Sequence, residues 1–359
     1  MPTRSETLAR ASALRALFEA EGAALVEPPI LQPAATLLEL YGEDIRARAY
    51  VTSDALRGEQ MLRPDFTVPV VQMHMAHGAE PARYTYAGEV FRRQEQDPDR
   101  ANEYVQVGYE VFDRTDPAAA DAEVFALIQS ALRGLPVRAV TGDIGLLMAA
   151  VKGLDTTARR KAALMRHIWR PRRFRALLER FSGMAPMPES RRALLAGEVS
   201  SEAPIVGLRS CAEINERIAA LKADAETPPL SAQQVELIMA LLDVRETMPN
   251  ALSRLHDLAV DMPAIAPAVA RIAAREAALK ARDVDTAHLT FEASYGRASM
   301  EYYDGFVFGF RADARADLPA VASGGRYDAL TRQLGQGDAI PAVGGVMRPG
   351  LMLELEAGR

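Results

Sequence analysis

The residues best suited to chemistry fall into four short segments. Leu62-Arg63-Pro64-Asp65-Phe66-Thr67-Val68-Pro69 sets a carboxylate two positions from a hydroxyl. Tyr86-Ala87-Gly88-Glu89-Val90-Phe91-Arg92-Arg93 ends in two guanidinium groups, and Gln106-Val107-Gly108-Tyr109-Glu110-Val111-Phe112 follows it. In an alternating strand, Gln106 and Glu110 share one face. Glu301-Tyr302-Tyr303-Asp304-Gly305-Phe306-Val307-Phe308 supplies two phenols, and Gly324-Gly325-Arg326-Tyr327-Asp328 runs on to Pro341-Ala342-Val343-Gly344-Gly345. The carboxylates of Asp65 and Glu110 suit an ammonium or an N–H donor. Arg92 can fork onto a carboxylate or a phosphate. Thr67, Gln106, Tyr303 and Tyr327 add neutral donors and acceptors, and Gly324-Gly325 permits close approach of backbone. Such a kit fits a small zwitterion, an amino acid for example.

Positioning these groups requires a sheet. Tyr84-Thr85-Tyr86 and Val90-Phe91, then the alternating run Tyr104 to Phe112, predict a long antiparallel hairpin over about 83–112, with Asp97-Pro98-Asp99 in its turn. Ahead of it, Thr3 and Glu6 have capping-box spacing, and Leu8, Ala11, Leu14, Leu17 and Phe18 mark one face of a first helix that Gly22 ends. A further helix is expected over Asp121–Leu132. From Gly153 the texture turns to alanine, leucine and arginine at helical spacing, and strand-like segments return after Ala287, as in Phe306 to Phe310. The fold class is α+β: a mostly antiparallel sheet flanked by helices and split by a helical insertion. The divisions are 1–152 for the first part of the core, 153–280 for the insertion and 281–359 for the second part.

Composition narrows the rest. The formal net charge is -6 and the hydrophobic fraction 49%, as expected of a folded chain and against bulk nucleic-acid binding. Nothing resembles a membrane span or a signal peptide, and one cysteine, Cys211, leaves no internal disulfide and no thiolate zinc site, so a cytoplasmic location is expected. His74 and His77 have i, i+3 spacing, but no third ligand accompanies them, and no metal or other cofactor is expected. A basic stretch from Arg159 to Arg175 reads as a solvated helical face or a contact for an acidic partner. Cys211 reads as a small core or helix residue.

Taken in order, the four segments resemble the catalytic domain of histidyl-tRNA synthetase, a class II aminoacyl-tRNA synthetase, from near the start to about Leu351. The resemblance implies that Asp65, Thr67 and Gln106 hold an α-amino group and that Arg92 holds the carboxylate and, in the synthetase, the ATP α-phosphate. It implies further that Glu110 and Tyr303 read an imidazole, with Tyr327 lining the same pocket. Departures accompany it. The synthetase's Arg-Gly-Leu-Asp-Tyr-Tyr aligns with Ala298-Ser299-Met300-Glu301-Tyr302-Tyr303, so its arginine becomes Ala298; Arg297, one place earlier, would face the other side of a strand. The Gly-Leu-Glu-Arg-Leu run aligns with Arg348-Pro349-Gly350-Leu351-Met352; its arginine is replaced by Leu351, Pro349-Gly350 is expected to disrupt that helix's first turn or move its start, and Arg348 could substitute only from a different place. Gln94 stands where a glutamate positions adenine, and no anticodon-binding domain is expected.

Loss of two preorganised cations would cost a transition state roughly 5–8 kcal/mol. With these departures the chain is similar to the regulatory subunits of short-form ATP phosphoribosyltransferase. That resemblance implies a non-catalytic role: self-association as a dimer, assembly with a separate catalytic subunit into a hetero-octamer, activation of that subunit, and feedback inhibition by free histidine. The rivals are an enzyme that still adenylates histidine through Arg297 or Arg348, and a binding module acting on tRNA or on a stress sensor.

Overall fold

The computed structural model describes residues 2–41, 45–93, 100–198, 206–297 and 302–358. Gln94 and the aligned positions Ala298, Ser299, Met300 and Glu301 lie outside the described residues. Among the described residues nine strands form the main sheet: β1 (Ala24–Leu25), β2 (Ala82–Phe91), β3 (Glu103–Phe112), β4 (Val137–Asp143), β5 (Arg245–Thr247), β6 (Thr290–Glu292), β7 (Phe306–Ala312), β8 (Ala322–Arg326) and β9 (Ala342–Met347). They lie in the order β1-β2-β3-β9-β8-β7-β4-β6-β5. Only β1–β2 and β4–β6 pair parallel; the other pairs, including the expected β2–β3 hairpin from Ala82↔Phe112 to Phe91↔Glu103, are antiparallel.

Alternation along β3 divides two cores. Val105, Val107, Tyr109 and Val111 join Ala11, Leu14 and Phe18 of helix Arg4–Ala20, Val124, Phe125 and Ile128 of helix Pro117–Ala131, and Met352 of helix Pro349–Ala357. Each large apolar side chain so buried contributes roughly 1.5–3 kcal/mol. The opposite face of β3 carries Gln106, Gly108, Glu110 and Phe112, and that face holds the site.

The first helix has its capping box: Glu6 N–H donates to Thr3 Oγ1 at 3.2 Å, and Thr3 N–H to Glu6 Oε2 at 2.7 Å. Gly22 follows it at φ 89°. Its buried stripe is narrower than expected, for Leu8 and Leu17 remain 40% and 37% exposed. Asp116 caps the helix at Pro117–Ala131, four residues ahead of the expected Asp121 start. Pro349 begins helix Pro349–Ala357 instead of disturbing it, because the first helical position needs no intrahelical N–H.

Apart from β5, the regular elements described within 153–280 are helical. Leu164, Phe174, Leu178 and Phe181 of helices Ala158–Arg166 and Pro171–Phe181 pack with the site-side core. Helices Met248–Asp261 and Ala266–Lys280 instead join the main core through Leu252, Leu255, Val269 and Ile272. The last third of that segment therefore packs as part of the sheet layer.

Arg297 lies in a turn, not a strand. Its Nε donates to the Ile168 carbonyl at 2.8 Å and its guanidinium covers Phe174. Burial, then the nearby Arg175, pushes its pKa down to about 10. It is thus engaged with the helical segment. Cys211 opens helix Cys211–Glu226 and is exposed, not core.

Candidate functional site

A cavity of about 260 Å³ opens over β3, β9 and β8. It is lined by Arg48, Asp65, Thr67, Arg92, Gln106, Tyr302, Tyr303, Ser323, Gly344, Gly345, Val346 and Arg348. Five expected residues therefore meet at it: Asp65, Thr67, Arg92, Gln106 and Tyr303. Glu110 and Tyr327, each 1% exposed, stand one layer behind that lining.

Backbone geometry explains the convergence. Arg63 is buried; its Nε donates to Glu89 O at 2.8 Å, its Nη1 to Pro28 O at 2.5 Å, and it caps the Phe66 ring. These bonds tie the segment before helix Thr67–His77 to the hairpin. Asp65 then accepts the Val68 N–H at 3.4 Å, and Thr67 opens the helix. Arg92 continues the hairpin, its N–H donating to Asn102 O at 2.8 Å and its Nε to Pro64 O at 2.7 Å. From β9 and β8 come glycines that leave room for side chains from above. A Cβ on Gly344 would fall 1.4 Å from Glu110 Oε2, and one on Gly325 would fall 2.8 Å from the Tyr303 ring.

Glu110 organises the inner layer. Thr67 Oγ1 and Tyr86 OH donate to Oε1 at 3.0 and 2.8 Å, and Tyr327 OH donates to Oε2 at 2.5 Å. Since Thr67 gives its proton to Glu110, its lone pairs are left to accept from an N–H in the cavity. Burial pushes the Glu110 carboxyl up to about 7; the hydrogen bonds from Tyr327, Tyr86 and Thr67 oppose that, and the charge of Asp65 adds to it. Burial, then the charge of Glu110, raises the phenol pKa of Tyr303 as well. Tyr86 was not among the sequence candidates, although its alternation with Gly88 on β2 places it on the site face. Tyr302 and Tyr303 both line the cavity, where a strand would have separated them; they sit in irregular backbone ahead of β7.

Because the folded pKa of Glu110 lies above its ordinary 4.5, the empty fold favours the proton. That contribution is complete below about pH 4.5 and is lost as pH rises through about 7, at most about 3 kcal/mol. The wild type is therefore expected to lose stability between about pH 5 and 8 relative to Glu110→Gln, measured by urea unfolding. Parallel profiles would refute this.

The cationic side is richer than the sequence suggested. Arg48, from helix Ile45–Arg48, and Arg348, the residue ahead of helix Pro349–Ala357, line the cavity beside Arg92. Burial lowers the pKa of Arg348, Tyr104 beside it opposes this, and Arg92 and Arg100 add repulsion. Arg348 also donates to the Ala320 carbonyl. Arg48 lies outside the four segments, so no motif signalled it. Leu351 is half-buried against the main core.

His74 is buried, stacks on Phe112 with ring centroids 4.0 Å apart, and shares a hydrogen bond with Tyr84 OH at 3.0 Å. Among the described residues no cluster has the makings of a metal site, and no helix is long and apolar enough to cross a membrane.

A profile of histidyl-tRNA synthetase matches residues 2–206 and 208–349. An ATP phosphoribosyltransferase regulatory subunit of Brucella anthropi is 33% identical over 93% of both chains. The chain belongs to the ATP phosphoribosyltransferase regulatory subunits, a histidyl-tRNA synthetase-like family. A regulatory subunit of the same name from Brucella canis is 32% identical over 93% of both chains. The solved ATP phosphoribosyltransferase regulatory subunit/histidyl-tRNA synthetase of Bacillus halodurans superposes with TM-score 0.70 at 20% identity, covering 99% of this chain and 80% of that one. Histidyl-tRNA synthetase of Nostoc gives 0.65 at 16% identity, with 98% and 72% covered. The fold is accordingly that of the class II synthetases, and membership makes the chain a regulatory subunit and not a synthetase.

Proposed function

We propose that the cavity binds free histidine, and that this subunit activates the ATP phosphoribosyltransferase catalytic subunit and conveys histidine feedback on the first step of histidine biosynthesis. Asp65 and the Thr67 oxygen take the ammonium group, Arg92 takes the carboxylate, and the imidazole lies toward Tyr303 and the Glu110 layer. Assembly is as a dimer joined to catalytic subunits in a hetero-octamer, in the cytoplasm.

One observation carries the reading. Gln106 is fully buried and lines the cavity, yet both its side-chain nitrogen and its side-chain oxygen are without a hydrogen-bond partner. A buried polar group left in that state costs roughly 1–3 kcal/mol, and an amide suits a ligand that both donates and accepts. Gln106→Leu is therefore expected to raise the stability of the empty chain by about 1 kcal/mol while weakening histidine binding about tenfold. Urea unfolding and calorimetry read the two effects. A variant that loses stability and keeps its affinity would mean a structural amide and no amino-acid site. The same protein should show no histidine-dependent ATP–pyrophosphate exchange.

A further inference from the structure

The helical segment carries a surface that the cavity does not use. Between Lys152 and Arg180 the chain has ten lysines and arginines against two acids, Asp155 and Glu179, in a protein of net charge -6. Arg160 is buried, its Nε donating to Asp224 at 2.7 Å and its Nη1 to the Pro228 carbonyl, so it serves the fold. Arg159, Arg166, Arg172, Arg173 and Arg175 are exposed and make no hydrogen bond or ion pair among the described residues. Many surface arginines elsewhere are paired, as Arg4 with Glu89, Arg46 with Glu59 and Arg114 with Glu80.

Helix Pro171–Phe181 shows how the face is made. Phe174, Leu178 and Phe181 are buried on one side, which turns Arg172, Arg173 and Arg175 outward. In the turn ahead of it lies Trp169, the chain's single tryptophan. It is half-buried; its indole nitrogen and Nδ1 of the neighbouring His167 are both buried and without a hydrogen-bond partner among the described residues. Burial, then Arg170, Arg173 and Arg166, lowers the His167 pKa, which places all three charges close to the turn.

We propose that this arginine face, with Trp169 in the turn between its two helices, docks an acidic face of the phosphoribosyltransferase catalytic subunit. The proposal rests on the regulatory reading above. Arginine and tryptophan are the residue types that dominate protein interfaces energetically, and the part of the Trp169 ring left exposed gives the cationic face an aromatic anchor. Unpaired cations around it steer an acidic partner and set its register. A long nucleic acid fits less well, because it would run from the patch onto a chain whose remaining charge is strongly negative.

The test mixes the full chain with the purified catalytic subunit and follows complex formation by size exclusion and by interferometry at low and high salt. Arg166→Glu combined with Arg173→Glu is expected to weaken the complex about 100-fold, and Trp169→Phe, which trims the aromatic anchor, about tenfold. Arg254→Gln, whose guanidinium pairs with Glu246 in the wild type, serves as control and should bind normally. Thermal melts and histidine calorimetry on the isolated chain should match wild type for every variant. If the charge-reversed chain binds the catalytic subunit as tightly as wild type, this surface is wrongly assigned and the regulatory reading stands. If the wild type itself does not bind, the regulatory reading falls and takes this proposal with it. If the reversal abolishes a tRNA gel shift and spares the protein complex, the face belongs to nucleic acid and the proposal is overturned.

Discussion

Glu110→Ala should lower the stability of the empty chain by about 3 kcal/mol at mildly acidic pH and remove measurable histidine binding. Three hydroxyls, from Thr67, Tyr86 and Tyr327, donate to this one carboxyl group. All three parent residues are buried, so alanine leaves three polar groups without an acceptor and opens space over Gly344. Each orphaned group costs roughly 1–3 kcal/mol, offset in part by the burial penalty that Glu110 itself carries. At higher pH the offset grows, because the carboxyl there is ionised against its raised pKa of about 7. The stability difference between the two proteins should therefore shrink from about pH 6 to pH 8. Histidine affinity falls for a different reason: Thr67 loses the group that fixes its hydroxyl as an acceptor toward the cavity. Glu110→Gln separates the two effects. It keeps one acceptor oxygen and the volume, so it should fold nearly as well as wild type while binding histidine about tenfold more weakly. An alanine variant with wild-type stability and affinity would remove Glu110 from both roles.

How much of this was legible in the sequence follows from what each residue depends on. The β2–β3 hairpin was readable because strand alternation is local, and the capping box at Thr3 and Glu6 because a cap needs only four residues. Asp65, Thr67, Arg92 and Gln106 were readable as a set because they resemble positions of a known family, whose spacing encodes the sheet that assembles them. The depth of Glu110 and Tyr327 was not. Strand parity tells which face a side chain takes, but not whether Gly344 on the next strand lets it lie flat beneath the cavity floor. Arg48 and Arg348 were missed or discounted for a similar reason. Their side chains reach the cavity from helix ends whose placement depends on long-range packing; the two synthetase arginines replaced by Ala298 and Leu351 are separate positions. Arg297 was expected on a strand; the turn that carries it sends it to Ile168 and Phe174, contacts more than a hundred residues away in sequence.

Asp121→Ala is the second substitution with a large expected effect, about 3–5 kcal/mol of stability, and it acts away from the cavity. Asp121 lies on helix Pro117–Ala131 and is 2% exposed. Its Oδ2 accepts from Arg275 Nε at 2.7 Å, and its Oδ1 accepts from Arg326 Nη2 at 2.7 Å. Arg275 also donates to Asp143 at 3.0 Å, and Arg326 to Asp328 at 3.0 Å. One carboxylate thus joins helix Ala266–Lys280, the end of β8 and, through Arg275, the end of β4. Removing it leaves two buried guanidinium groups short of countercharge; this is costly where replacing a whole buried ion cluster with apolar groups need not be. Asp121→Asn keeps the shape and loses the charge, and should fall between alanine and wild type. The damage should also reach the cavity, since Arg326 immediately precedes Tyr327, whose hydroxyl holds Glu110. Both variants are therefore expected to bind histidine more weakly in proportion to their loss of stability, whereas Gln106→Leu moves the two quantities in opposite directions. Urea unfolding that placed Asp121→Ala within about 1 kcal/mol of wild type would show that water or local rearrangement replaces the carboxylate, and that the network does not hold Tyr327 in place.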